Sequence, residues 1–391
     1  MKAKNDCMNR IRIGFFILII LLPSFSRSGL EIETRTGEIT RVINIPDSLP
    51  KQPLSRIFSH VEYIKLESSE RSLIGVITKA FIDDDRIYIF DNIQKCLLCF
   101  GVDGKYISRY QNLGNGPGEY KTIHDFDLLP NRKGIVLLAD NERILLLDRD
   151  LKFLKDQKTL FKSSSLAALT LDIFAFYTAQ WEGIVNGDTA NQYNLVINNI
   201  KTKEAAGLFP NQLSKRLRFG GEIVFYRSDA LIYLNPMHYN GYFVSERGVD
   251  SIWYFDFNRK RFDDEELNRL NSSKDRYNLL AASPGKVSGI RNVYLKGNLL
   301  FFEALVSRGA MQSISRQYFH NIHSKEIYGG LYNDLSDLKM PGFFLGSFNE
   351  GFFAQIPAHL LKSPGTTAIP ESLKDVEITD NPIIAFYYLK K

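Results

Sequence analysis

The sequence contains few cysteine, histidine and tryptophan residues. Its 391 residues include 3 cysteines, 6 histidines and 2 tryptophans. Cys7 lies in a basic N-terminal stretch, and Cys96 and Cys99 are too few to build a disulfide-stapled secreted domain. The chain contains no H-E-x-x-H and no G-x-S-x-G motif, and no serine triad can be assigned. These absences exclude the simplest signatures of a zinc protease and of a serine hydrolase.

A membrane-length hydrophobic run is also missing, since the N-terminal apolar run reaches only from Ile13 to Leu22. That is about half of the ~20 residues that a membrane-spanning helix needs. Four basic residues precede the run, and Ser24 and Ser26 follow it, which is the pattern of a secretory signal over residues 1–26. An uncleaved anchor is the alternative. We therefore expect an exported protein, in the periplasm or at the cell surface.

No excess charge of one sign marks the rest of the chain. The formal net charge is +5, and removal of residues 1–26 takes away four basic residues and Asp6, which leaves about +2. This near-neutral charge argues against nucleic acid or an acidic membrane surface as the main partner. We interpret the polar residues 27–60 as a leader segment that wraps the outside or stays loose, followed by one domain over residues 61–391.

What the sequence does contain is a repeated unit of short apolar runs, rich in β-branched and aromatic residues and separated by turn formers. In the first unit, strands are predicted at Arg86–Asp91, Leu97–Phe100 and Lys105–Tyr110. The pattern returns 47 to 49 residues later, with Leu147 in the place of Phe100 and Asp140 in the place of Asp91. A self-similar unit of four strands is typical of a β-propeller blade.

The same residues carry a resemblance to a known family. The order ITKAFIDDDRIYIFD, LLCF, DGKYI and GNGPGEY resembles the six-bladed β-propeller family of extracytoplasmic bacterial proteins, which is NHL-like in shape and mostly uncharacterised. Val61–Glu67 and Asp380–Lys390 resemble its first and last strands, so the likeness covers residues 55–391. The resemblance implies a fold but no catalytic motif. Many members are lipoproteins, whereas here no cysteine directly follows the apolar run.

We therefore expect an all-β fold, a six-bladed propeller of four-stranded antiparallel blades. Residues 61–391 would give six blades of about 55 residues or seven of about 47, and insertions in the later units, with the resemblance, favour six. Val61–Glu67 is expected to pair with Ile383–Leu389 and close the ring, because an open ring would leave unpaired strand edges. A short helix outside the blades is predicted at Arg261–Asn271, with Asp263 as its cap.

Strands of the later units are predicted at Leu166–Tyr177, Tyr193–Asn198, Glu222–Tyr226, Leu231–Leu234, Gly241–Val244, Ser251–Phe257, Asn292–Tyr294, Leu299–Leu305, Ser313–Phe319, Glu326–Gly329, Phe343–Phe348, Gly351–Gln355 and Ile383–Leu389.

Two motifs that suggest chemistry are better explained by structure. Gly114–Tyr120 is rich in glycine, but it lacks the Lys-Ser/Thr pair and the following helix of a phosphate-binding loop. We interpret it as a bend between blades. Cys96 and Cys99 lie in a predicted strand, where their side chains point to opposite faces and cannot form a disulfide. Buried thiols are expected.

Metal ligands are not evident either. Asp83–Asp85 lacks the spaced oxygen ligands and the glycine of an EF-hand and is expected to form a turn. His320 and His323 have no companion cysteines or histidines at zinc-site spacing. We expect no cofactor, although calcium held in the channel by residues of several blades stays an open alternative.

A ligand face is expected where loops join the blades and where the inner strands begin. Three segments there combine tight turns with polar aromatic residues, and the candidate binding residues are Glu119, Tyr120, Tyr226, Arg227, His238 and Tyr239. Glu119 and Arg227 would orient polar groups of a ligand, and Tyr120 and Tyr239 would offer flat apolar faces. Packing of these residues at blade junctions is the alternative.

These observations favour a monomeric binding module for a carbohydrate, a peptide or an envelope protein. A propeller enzyme, lactonase-like hydrolase or lyase, with a metal in the channel is one alternative, and a structural partner in an envelope assembly is another. The side chains that line the channel discriminate between the classes. Carboxylates or histidines that converge on one point would favour the enzyme, and an apolar plug would favour the binding module.

Overall fold

The structure, a computed structural model, describes residues 35–49, 53–179, 184–185, 188–189, 193–210, 223–309, 312–331, 343–362 and 369–390. The predicted signal in residues 1–26 lies outside the described residues. Two strands precede the first blade, β1 (Ile39–Asn44) and β2 (Phe58–Lys65).

Six sheets make up the ring, and their antiparallel strands follow one another in chain order, except that β2 is the outermost strand of the sixth sheet. The first blade consists of β3 (Lys79–Asp83), β4 (Arg86–Asp91), β5 (Cys96–Gly101) and β6 (Tyr106–Tyr110). The second blade consists of β7 (Ile123–Leu128), β8 (Ile135–Ala139), β9 (Arg143–Leu147) and β10 (Phe153–Lys158). The third blade consists of β11 (Ser165–Ala168), β12 (Ile173–Tyr177), β15 (Tyr193–Asn199) and β16 (Ala205–Pro210). A small hairpin, β13 (Ile184–Val185) and β14 (Asp188–Thr189), lies between β12 and β15 in the chain.

The fourth blade consists of β17 (Phe225–Arg227), β18 (Leu231–Leu234), β19 (Asn240–Ser245) and β20 (Gly248–Asp256). The fifth blade consists of β21 (Val287–Lys296), β22 (Leu299–Gly309), β23 (Gln312–Asn321) and β24 (Ile327–Leu331). The sixth blade consists of β25 (Phe343–Phe348), β26 (Gly351–Ile356) and β27 (Ile383–Leu389) together with β2. The first strands of successive blades contact one another and therefore line the central channel. The predicted six-bladed all-β propeller is confirmed.

Each blade buries both of its faces against its neighbours. Phe81 of the first blade meets Phe126 of the second edge to face, with ring centroids 5.1 Å apart. Cys99 packs in the cluster between these two blades, whereas Cys96 packs in the cluster between the first and sixth blades. The prediction that the two thiols are buried on opposite faces of a strand is thus confirmed, and neither is in a disulfide. Stacking around the ring gives a long chain its core without one large central layer.

The ring is closed by the two ends of the propeller chain, as predicted. β2 pairs antiparallel with β27, with Glu62 opposite Phe386. The side chain of Asn381 reinforces this junction, because its Oδ1 accepts from the Ile74 amide at 2.8 Å and its Nδ2 donates to the Glu67 carbonyl at 2.7 Å. Asn381 is 3% exposed. Strands from both ends of the propeller chain therefore complete the sixth blade and close the ring.

The leader segment contributes a fifth strand to the fourth blade. β1 pairs parallel with β20, and Arg41 lies over the ring of Trp253, 5.0 Å from its centroid. A cation over an indole face stabilises this contact. This pairing could not be predicted from the sequence, because the exposed strand residues Ile39 and Val42 do not alternate with polar residues in a strand pattern.

The predicted helix is confirmed in a shorter form. α1 (Asp264–Asn268) begins with a capping box between Asp263 and Glu266, and Leu267 and Leu270 are buried. A second helix that the sequence reading missed, α2 (Ser273–Ala282), follows it, and α3 (Ala358–Leu361) lies between β26 and β27. Short 3-10 turns lie at Leu54–Arg56, Pro130–Arg132, Asn258–Lys260 and Glu371–Leu373.

Two strand predictions need correction. Leu166–Tyr177 is a hairpin of β11 and β12 and not a continuous segment, since the chain reverses at residues 169–172. The predicted strand Asn292–Tyr294 is the middle of the much longer β21. Glu222, at the start of another predicted strand, lies outside the described residues.

Candidate functional site at the channel mouth

Two acidic residues of the second blade form ion pairs with other blades on one side of the channel. Asp125 Oδ1 lies 2.8 Å from Nζ of Lys79 in the first blade, and the two side chains are 2% and 7% exposed. Oδ2 of Asp125 accepts from the Ser165 hydroxyl and from the Leu166 amide, both in the third blade. One carboxylate thus links three blades. The free-energy cost of burying its charge is offset by a cation and by amide donors.

A second carboxylate, two residues further along β7, binds the fourth blade. Asp127 Oδ1 accepts from Arg227 Nε at 2.8 Å, and Asp127 Oδ2 accepts from the Ala168 amide at 2.8 Å. Arg227 also donates to the Ala168 carbonyl. Burial alone would lower the pKa of Arg227, but the charge of the Asp127 carboxylate and its hydrogen bond to Arg227 raise that pKa above its ordinary value. Paired charges therefore fill this half of the channel, which is neither the apolar plug nor the converging acids weighed from the sequence.

The other half of the channel opens on one face of the ring. Because successive strands of a blade reverse direction, the connections between blades and the loops between second and third strands share this face. We call it the joining face. A cleft of about 470 Å³ lies there between the fourth, fifth and sixth blades. We call it the mouth cleft; its described lining is Ile77, Thr78, Ile223, Tyr226, Pro236, Met237, Arg276, Ser288, Gly289, Ile290, Arg291, Asn292, Glu303, Leu305, Phe343, Phe344, Leu345 and Gln355.

The strand β21 shapes this cleft through two irregularities. Its register against β22 shifts by one residue between Val287 and Gly289, and again between Arg291 and Tyr294. Asn292, within the second bulge, has a φ of 52°. Bulges bend a strand and turn its side chains, and they are frequent beside binding sites. Here the residues between the two bulges, Gly289 to Arg291, all line the mouth cleft.

A buried ion pair stands at the base of the cleft. Arg291 Nε donates to Glu303 Oε2 at 2.9 Å, and the side chains are 46% and 3% exposed. Glu303 Oε2 also accepts from the Ser315 hydroxyl at 2.9 Å, and Oε1 accepts from Gln317 Nε2 at 3.2 Å. The carboxylate is thus fixed by three donors, whereas the guanidinium reaches into the cleft.

The remaining wall is apolar and open in places. Phe343 at the start of β25 is 40% exposed, and Leu345 and Ile290 line the cleft beside it. Gly289 has no described heavy atom within 4 Å of the position that a Cβ would take. Arg276 of α2 adds a second cation to the lining. The cleft combines cationic, polar and apolar surface, as binding pockets usually do.

The first predicted segment, Glu119-Tyr120, lies away from this cleft. Tyr120 is fully buried and donates its hydroxyl to the Lys95 carbonyl at 2.7 Å, so its ring offers no face to a ligand. Glu119 Oε2 accepts from the Gly116 amide at 2.7 Å and holds the glycine-rich bend between β6 and β7. The structure therefore gives Gly114–Tyr120 the junction role that the sequence favoured.

The other predicted residues lie nearer to the cleft. Tyr226 lines it but is only 5% exposed, and its hydroxyl donates to the Ile223 carbonyl at 2.8 Å. Arg227 is engaged by Asp127 inside the channel. His238 and Tyr239 follow the cleft residue Met237, yet Tyr239 is 6% exposed. The expectation that Tyr120 and Tyr239 present flat faces is therefore corrected, because packing between blades covers both rings.

The weak metal motifs remain without support in the described part of the chain. No group of three or more His, Cys, Asp or Glu side chains there is placed to hold a metal ion. Asp84 has a φ of 51° at the turn after β3, and Asp85 forms an ion pair with Arg149. His320 is buried in β23, with Nδ1 3.3 Å from the Glu326 carbonyl.

The sequence reading missed the ion pair of the cleft. Arg291 and Glu303 lie opposite each other on two neighbouring strands, and the two bulges of β21 before and after Arg291 set the face to which the arginine points. One signal was present, because Gly289 interrupts a strand pattern, which often marks a bulge or a close backbone approach. Phe343 was recognised as a strand residue but not as a cleft residue.

Comparison with known proteins agrees with this architecture. The family described as "Domain of unknown function (DUF4934)" matches residues 40–388. The chain belongs to this family. No curated protein matches the sequence of this DUF4934 chain.

Solved structures show the fold of the DUF4934 propeller at low sequence identity. A protein described as "Putative exported protein" from Bacteroides fragilis is 16% identical, with a TM-score of 0.74 over 90% of this chain and 100% of that one. A DUF4221 family member from Bacteroides vulgatus is 11% identical, with a TM-score of 0.53 over 85% of this chain and 98% of that one. Within the described residues of the DUF4934 protein, no helix has the length and apolar character to cross a membrane.

Proposed function

We propose that this protein is an exported binding propeller that takes a peptide segment of a partner in the mouth cleft. The cleft carries the proposal, because it combines open space at the channel, an exposed aromatic ring at Phe343 and a half-exposed arginine side chain at Arg291. Export is supported by the signal pattern of residues 1–26 and by the similarity to a protein described as exported. The compartment we propose is the periplasm or the cell surface, and the protein acts as a monomer without a cofactor.

The scarcity of acidic residues in the described lining of the cleft favours binding over catalysis. Glu303 is the one carboxylate in its described lining, and three donors already engage it. Acid–base hydrolysis of a glycoside needs two carboxyl groups across the scissile bond, and a hydrolytic metal needs several converging ligands. The described lining supplies neither, so the lactonase-like alternative gains no support from it.

A peptide fits the cleft better than a sugar ring does. Sugars stack on aromatic faces that are flanked by hydrogen-bonding groups, whereas Phe343 lies beside the apolar side chains of Leu345 and Ile290, and the tyrosine in the lining, Tyr226, is nearly covered. The apolar wall of Phe343, Leu345 and Ile290 suits an aliphatic or aromatic side chain. The near-neutral charge outside the signal argues against nucleic acid.

The proposal is tested by blocking the cleft without disturbing the fold. Gly289→Trp places an indole in open space, because a Cβ there meets no described atom within 4 Å and the backbone is not left-handed. Leu154→Trp is the matched control, since Leu154 is 58% exposed on the outer strand of the second blade, which lines no part of the cleft. The probe is a synthetic library of N-acetylated tripeptides, supplied as free acids and as amides.

Capture of library peptides is measured by affinity selection and mass spectrometry. We expect the wild type and Leu154→Trp to retain a common set of peptides and Gly289→Trp to lose it, with all three proteins melting within a few degrees of one another. If the wild type retains no tripeptide of either form, or if Gly289→Trp retains the same set, the proposed function is wrong.

A further inference from the structure

We infer that the mouth cleft recognises the C-terminal carboxylate of its peptide ligand, with Arg291 as the receptor for the charge. The inference rests on the proposed function and names the chemistry of the same site. A peptide C-terminus joins an anionic group to an apolar or polar side chain on one carbon. The cleft likewise places a guanidinium next to an apolar wall.

Arg291 is used only in part by the protein. Its Nε donates to Glu303, and its two Nη nitrogens have no hydrogen-bond partner within the described residues. The side chain is 46% exposed and lines the cleft, so a ligand in the cleft can reach the guanidinium. Two Nη groups side by side match the two oxygens of a carboxylate, and such bidentate pairs are among the strongest hydrogen-bonded contacts in proteins.

Glu303 acts as a positioning residue for that guanidinium. It is 2% exposed, and the Ser315 hydroxyl and the Gln317 amide hold its carboxylate in place. An arginine that is bonded through Nε to a fixed acid cannot rotate freely, so less side-chain entropy is lost when a ligand binds. The bulge between Arg291 and Tyr294 sets the direction in which this side chain leaves the strand.

The charge of the lining also favours an anion. The described lining contains two cationic residues, Arg276 and Arg291, and one acid, Glu303. The negative charge of Glu303 is offset by its ion pair with Arg291, which weakens its repulsion of an anionic ligand. An apolar side chain beside the carboxylate would contact Phe343, which is 40% exposed.

The test compares free-acid and amide forms of the same N-acetylated tripeptides. We expect the wild type to retain the acids at least about tenfold better than the amides, because the amide lacks the charge that pairs with Arg291. The preference should shrink when the salt concentration rises from 50 mM to about 500 mM, since partly exposed ion pairs are screened.

Two variants assign the preference to Arg291. Arg291→Met alone would leave Glu303 as an uncompensated buried charge, so the double variant Arg291→Met with Glu303→Gln removes both charges together. We expect it to fold and to retain acids and amides about equally. Arg291→Lys keeps the charge, but one ammonium group cannot bond Glu303 and also offer a bidentate pair, so the preference should fall severalfold.

The outcomes separate this inference from the proposed function. Equal retention of acids and amides by the wild type, with both lost in Gly289→Trp, overturns the carboxylate inference and leaves the binding cleft. An acid preference that persists in the double variant, or that survives Gly289→Trp, also overturns it. If the wild type retains neither form, both the inference and the proposed function fail.

Discussion

Arg227 reaches from the fourth blade past the third and binds both carboxylate oxygens of Asp127 in the second blade. The Asp127 side chain is 2% exposed and that of Arg227 is 26% exposed. The pair links the second and fourth blades, which the third blade separates in chain order. Its place inside the channel indicates a structural role for a residue that the sequence suggested as a ligand contact.

Removing the guanidinium should therefore destabilise the ring and leave binding intact. Arg227→Met leaves the buried Asp127 charge uncompensated and should lower the free energy of unfolding by about 3–5 kcal/mol. The double variant with Asp127→Asn should lose less, because no charge remains unpaired. Urea unfolding measures stability, and peptide capture per folded molecule should stay at the wild-type level. A variant with full stability and lost capture would instead return Arg227 to the binding site.

Tyr239 is expected to contribute through its hydroxyl to stability. The hydroxyl accepts from the Phe262 amide and donates to the Val287 carbonyl, both at 2.8 Å. Tyr239→Phe leaves these two groups without a partner and should cost about 1–3 kcal/mol. Tyr277→Phe is the control, because Tyr277 is 43% exposed and its change should stay within about 0.5 kcal/mol. Equal melting temperatures for the two variants would contradict the prediction.

The strands were predictable where the sequence repeats and is punctuated. Arg86–Asp91, Phe343–Phe348 and Ile383–Leu389 have the bounds expected, since β-branched or aromatic runs end there at polar or turn residues. Leu166–Tyr177 was merged because its turn at residues 169–172 contains no glycine, proline or asparagine.

The candidate site was much less predictable than the fold. Arg291 and Glu303 are 12 residues apart in the chain, and Arg227 and Asp127 are 100 apart. No local pattern reports which residues of different strands meet. Tyr120 and Tyr239 were chosen for their aromatic character, but the same character makes them good packing residues between blades. Burial, which decides between the two roles, is set by the whole ring.

The two thiols should be unreactive in the native protein. Burial raises the pKa of Cys96 to about 11 and that of Cys99 to about 12, so little thiolate forms at pH 8. A chain that begins at Arg27 and therefore lacks Cys7 should label slowly with a thiol reagent and should gain two rapidly reacting groups in urea. Rapid labelling without denaturant would contradict the burial of β5.

Stability should fall in mildly acidic solution because of two histidines. Burial lowers the pKa of His124 and His320 below the ordinary 6.5, and the buried Nε2 of His124 has no hydrogen-bond partner among the described residues to stabilise the charged ring. Above about pH 6.5 both histidines are neutral in the folded and in the unfolded protein. Below it the unfolded chain takes up protons first, so the free energy of unfolding falls by at most about 1.4 kcal/mol per histidine and pH unit.

Urea unfolding at pH 7.5 and pH 5.5 measures this effect. The double variant His124→Gln with His320→Gln should show a smaller loss between the two pH values than the wild type. His323→Gln is the control, because His323 lies exposed in the turn after β23. Identical pH dependence of the wild type and the double variant would show that other groups are responsible.

Export makes a separate prediction about the N-terminus. Expression in a bacterial host with the full chain should yield a protein in the cell envelope that begins near Arg27 and carries no lipid, because no cysteine directly follows the apolar run. Intact mass spectrometry identifies the first residue. An intact Met1 terminus or an acylated chain would favour an anchored protein over a released one.

Pairing of β2 with β27 also fixes when the ring can close during synthesis. β2 emerges among the first residues of the propeller, yet its partner strand emerges more than 300 residues later, at Ile383–Leu389. Until then β2 exposes an unpaired edge, while blades one to five can already stack on one another. A chain that crosses a membrane in an extended form would complete this pairing only after its last strand had passed. Closure of the ring is thus a late event that requires the last strand to be present. A truncated chain would retain β2 as an unpaired strand that can pair with another chain.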